Sequence, residues 1–111
     1  MSFVARPGRI DLRVPIVLAL DGVPITAETR NIGLGGVFVA TQIPASVGRP
    51  VSLKLTLQGL AEPLLARGEV RWIREREERQ GVPGVGIKFV KLPLYVAAAL
   101  DNLVRSLTPG G

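Results

Sequence analysis

The chain has 111 residues, 47% hydrophobic and 21% charged, enough for one globular domain with a modest core. It contains neither cysteine nor histidine, which excludes disulfide frameworks, Cys/His zinc sites, thiol nucleophiles and histidine-based triads. The formal charge is +5, and 11 of the 14 cations are arginines, whose planar donor forks suit phosphates and the guanine edge; solubility alone accounts equally well for an excess of this size.

The opening MSFVARPGRI lacks the apolar stretch of a secretory signal. No apolar run approaches the ~20 residues that span a bilayer. A cytoplasmic protein without membrane insertion is therefore expected. Arg6, Arg9 and Arg13 lie in RPGRIDLR, where Pro7-Gly8 makes the chain irregular. Residues 1–12 are expected to form a flexible arm that folds over a ligand, and residues 13–111 a β domain. RVPIVLAL, then Asp21-Gly22, then VPITAETRNI read as two strands joined by a two-residue hairpin, because Asp-Gly accepts positive φ at both turn positions.

NIGLGG (31–36) follows. Gly33, Gly35 and Gly36 allow backbone N–H groups to approach a ligand closely, or simply make a positive-φ turn. Asn31 adds an amide that both donates and accepts. GVFVAT (36–41) is the third strand, with an edge that offers a route to a homodimer. VSLKLTLQ (51–58) alternates strictly, with Val51, Leu53, Leu55 and Leu57 facing inward. In LLARGEVRW and the following Ile73, the inward set is read as Ala66, Gly68, Val70 and Trp72. Trp72 is thus expected in the core; its other reading is a wall beneath a bound base.

RWIREREERQ (71–80) is nearly charge-balanced and reads as a solvated strand end rather than a nucleic-acid surface. GVPGVG (81–86) lacks the Lys-Ser/Thr of a phosphate loop and reads as a hairpin loop. VGIKFVK (85–91) is the sixth strand, with Val85, Ile87 and Phe89 inside. From Pro93 the period changes: Val96, Leu100, Leu103, Val104 and Leu107 recur at helical spacing and predict one amphipathic helix over about 93–107. Six short antiparallel strands bury one face by curling into a barrel whose open end the helix covers, an all-β fold. Clustered carboxylates and activated serines are missing, so neither a metal, a cofactor nor an enzymatic activity is expected. With five aromatics, most at inward strand positions, a nucleic-acid partner is not expected either.

These residues resemble the PilZ domain family, bacterial receptors for cyclic di-GMP. Arg9 and Arg13 in RIDLR match the family's RxxxR motif. Asn31-Ile-Gly-Leu-Gly-Gly36 is similar to its (D/N)xSxxG motif, with Gly33 where the family has Ser. RVPI, GGVFVAT, GEVRWI and GVGIKFV also look like PilZ segments, and the likeness covers roughly residues 6–107. It implies a six-stranded antiparallel PilZ-type β-barrel with one C-terminal helix. It further implies that cyclic di-GMP is the ligand, held by Arg9 and Arg13 on phosphate and guanine O6/N7, and by Asn31 on the guanine edge. Gly33, Gly35 and Gly36 would line the pocket, with Arg6 and Trp72 as secondary contacts. The output would be a conformational change passed to an unidentified protein partner, in motility or a related process. Gly33 loses a hydroxyl worth on the order of 0.5–1.5 kcal/mol, so binding is expected to be weaker. The alternative is a degenerate PilZ module that regulates through protein contacts without cyclic di-GMP.

Overall fold

The computed structural model describes residues 9–42, 46–57, 60–74 and 82–107. The six expected strands are present as β2 (Pro15–Leu20), β3 (Val23–Gly33), β4 (Gly36–Ala40), β5 (Pro50–Leu55), β6 (Leu64–Arg74) and β7 (Gly84–Lys91). One more, β1 (Arg9–Asp11), precedes them, and α1 (Leu94–Leu107) ends the described chain. Every pairing is antiparallel. The order β3-β2-β5-β6-β7-β4 closes on itself through a β3–β4 ladder, so six strands form a barrel and β1 lies outside the closure on β3.

Alternation builds this barrel. Ile16, Leu18 and Leu20 of β2 and Val51, Leu53 and Leu55 of β5 are buried on the inner side, with half-buried or exposed residues between them. Asp21 and Gly22 both take positive φ, 52° and 80°, and make the expected two-residue turn between Leu20 and Val23. An Arg49–Asp21 ion pair ties this turn to the segment leading into β5. Thr29, a fully buried polar residue, is satisfied locally: its Oγ1 donates to Leu12 O at 2.6 Å and accepts from Val14 N at 3.0 Å. Thr29 N also donates to Val14 O, and Leu12 N to Arg30 O, so residues 12–14 continue alongside β3 after β1 ends.

Helix α1 starts just after Pro93, whose carbonyl accepts from Val96 N and Ala97 N. It buries Val96, Leu100 and Val104 and packs against β1, β3 and β6, covering one end of the barrel. Each such side chain contributes roughly 1.5–3 kcal/mol when fully buried. Leu107, expected on this face, is exposed because the helix ends there.

Two expectations are corrected. Trp72 is 40% exposed rather than in the core. The β6–β7 register shifts between Val70 and Trp72, and that bulge turns both Arg71 and Trp72 outward while Ile73 takes the inner position. The GVFVAT strand offers no edge to a second copy, because β4 is bonded to β3 on one side and β7 on the other.

Candidate functional site

The segment around β1 brings the two motifs together. Arg9 pairs with Gly33, Ile10 with Ile32, and Asp11 with Asn31. Ile10 and Ile32 are buried, which leaves Arg9, Asp11, Asn31 and Gly33 on the opposite, outer side. There the Arg9 guanidinium grips Asn31 with two donors: Nε donates to Oδ1 at 3.0 Å, and Nη2 donates to the same oxygen. Arg13 follows the alternation of β1 and is exposed, with no ion pair to Asp11 or to any other acid among the described residues. Residues 1–8, including Arg6, lie outside the described residues.

From Asn31 the outer row runs across the barrel. Asn31 faces Phe38 on β4, Phe38 faces Gly86 on β7, and Gly86 faces Trp72 on β6. The Phe38 and Trp72 rings stack in parallel, 4.8 Å between centroids and 6° between planes. The Arg74 guanidinium carbon lies 5.0 Å from the Phe38 centroid and 5.4 Å from that of Trp72. Arg74 also donates to Val82 O at 3.2 Å.

Glycine makes room for these rings. A Cβ at Gly84 would come within 2.6 Å of the Phe38 ring, and one at Gly86 would overlap the Trp72 indole nitrogen. The two glycines of GVPGVG that fall in β7 therefore form the floor under an aromatic pair, not a hairpin loop. In the NIGLGG segment the three glycines differ. Gly33 is buried at the end of β3, opposite Arg9. Gly35 is exposed, with nothing within 4 Å of where a Cβ would stand. Gly36 is buried, and a Cβ there would overlap the Ile87 carbonyl, so close β4–β7 packing explains that glycine. Neither Gly35 nor Gly36 has positive φ.

Sequence reasoning missed three residues. Phe38 carries no mark of its own in GVFVAT, yet it belongs to the outer row and is shielded by its neighbours. Arg74 was absorbed into a charge-balanced strand end. Arg30 sits at the β3 bulge beside Asn31; a cation directly before the motif's Asn was the available signal. Among the described residues no three acidic groups gather as a metal site, and no helix is long and apolar enough to cross a membrane.

Comparison with known proteins places the fold. No curated protein matches the chain. Several solved structures are similar. The Bacillus subtilis inhibitor of motility MotI/DgrA is 17% identical with a TM-score of 0.79, over 98% of this chain and 55% of that one, so this chain spans about half its length. The PilZ domain of CeSA from a cellulose-synthesizing bacterium is 26% identical with a TM-score of 0.63, over 89% and 96% of the two chains. The Borreliella burgdorferi PlzA protein, solved in complex with c-di-GMP, is 13% identical with a TM-score of 0.64, over 93% of this chain and 40% of that one. The family described as PilZ domain matches residues 5–106, and the chain belongs to that family.

Proposed function

We propose that this chain is a cyclic di-GMP receptor that acts as a regulatory adaptor rather than an enzyme. The observation that carries this reading is the convergence of Arg9 and Asn31 on one outer face of the barrel, with Arg13 in the adjoining segment and Trp72 further along the same face. Two arginines supply forks for phosphate oxygens and for guanine O6/N7. With Oδ1 engaged by Arg9, Asn31 keeps its amide nitrogen to donate to the guanine edge. Trp72 presents an exposed ring for a base to stack on. That PlzA was solved with c-di-GMP supports the ligand class, and that MotI/DgrA is described as an inhibitor of motility supports motility control as the process.

Arg9 and Arg13 already lie along β3, so binding would re-aim their side chains onto the ligand, bring Arg6 to it, and so create a new surface. A protein partner, in the cytoplasm, would read that surface. Calorimetric titration with cyclic di-GMP tests the ligand. Arg9→Ala and Arg13→Ala should each weaken binding by tenfold or more, since a hydrogen bond to a charged group contributes about 1.5–3 kcal/mol. Absence of heat at high-micromolar ligand with folded protein contradicts the reading.

One observation favours the second reading, a module that works through protein contacts alone. Gly33 is buried opposite Arg9 and has no hydroxyl to offer. Gly33→Ser separates the two: a clear gain in affinity means the rest of the site is intact, whereas silence in both proteins favours the protein-contact module.

A further inference from the structure

Arg30 belongs to neither motif. It fills the extra position of the β3 bulge between Thr29 and Asn31, where β4 has no opposing residue. Thr29 and Ile32 are fully buried on the inner side, so the two residues between them, Arg30 and Asn31, share the outer side. The Arg30 carbonyl accepts from Leu12 N at 3.1 Å, which fixes its backbone beside the segment that carries Arg13. Arg9, Arg13 and Arg30 therefore lie on neighbouring stretches of chain near Asn31, with the carboxylates of Asp11, opposite Asn31, and exposed Glu28, two residues before Arg30, beside them.

The state of the guanidinium is the second observation. Arg30 Nε is shielded from solvent and has no hydrogen-bond partner among the described residues. Native structures seldom leave a shielded donor unmet, and a charged one costs most. Arg30 forms no ion pair among the described residues either. A donor group held this way, in a cluster of like charge, is stabilised by an anion arriving from outside. We propose that Arg30 is a third anchoring arginine, whose guanidinium takes a phosphate oxygen of the cyclic dinucleotide and offsets the hydroxyl missing at Gly33. The assignment rests on the receptor reading above.

The test is a calorimetric titration of cyclic di-GMP into the full chain, comparing the native sequence with Arg30→Met and Arg30→Lys, with thermal melts of all three without ligand. Arg30→Met should weaken binding at least tenfold, or about 1.4 kcal/mol. Its Tm should hold or rise, because the unmet donor is gone. Arg30→Lys keeps the charge, loses the planar fork, and should fall between the two. Native affinity in Arg30→Met overturns the assignment and leaves the receptor reading standing. A Tm lowered by several degrees in both variants makes Arg30 a structural residue and overturns the assignment as well. If the native chain itself gives no heat, the receptor reading fails and takes Arg30's role with it.

Discussion

Thr29 shows how one side chain prepares a site without touching a ligand. Its hydroxyl bridges Leu12 O and Val14 N, the two backbone groups on either side of Arg13. Thr29→Val keeps the shape but leaves a carbonyl and an amide without their partner. The expected cost is about 1–3 kcal/mol, measurable by urea denaturation. Thr29→Ser should recover most of it. Unchanged stability in Thr29→Val would mean that residues 12–14 are not held by this bridge. At this scale the sequence was readable where a residue's chemistry is local. Asp21-Gly22 announces a turn with two positive φ values whatever surrounds it. Gly36 was not readable, because the Ile87 carbonyl that demands a glycine lies about fifty positions away and only the β4–β7 ladder brings it there.

Among the elements, strands with unbroken alternation were legible and strands with bulges were not. Inner positions of β5 follow directly from period two, as do Val85, Ile87 and Phe89 of β7, which precede its own register shift at Val90. In β6 the shift between Val70 and Trp72 reverses the parity, so a residue expected inside emerges outside. The same device in β3 puts Arg30 beside Asn31. Neither bulge has a local sequence mark; each is fixed by the partner strand. The outer face of β7 has its own requirement, two glycines at alternate positions beneath the Phe38–Trp72 stack. Gly86→Ala should lift the indole off β7, shift the emission of the chain's one tryptophan towards that of a fully exposed ring, and cost about 1–3 kcal/mol of stability. An unaltered emission spectrum would show that the ring tolerates a methyl group beneath it.

At the level of the whole molecule, barrel closure does two things for function. It removes both edges of β4, leaving β1 as the short strand outside the closure, on the side where the arginines gather. It also brings β3, β4, β7 and β6 side by side, so that Asn31, Phe38, Gly86 and Trp72 form one row. Barrel, helix and motif order are legible in the sequence, since these follow from periodicity and resemblance. The row is not legible there, because it depends on register. Whether this single face receives the dinucleotide is read by amide chemical-shift mapping of the labelled chain titrated with cyclic di-GMP. The expected shifts concentrate at residues 9–13, 30–38, 72 and 84–86, with β2 and β5 quiet. Shifts centred on β2 and β5, or none at saturating ligand, would contradict it.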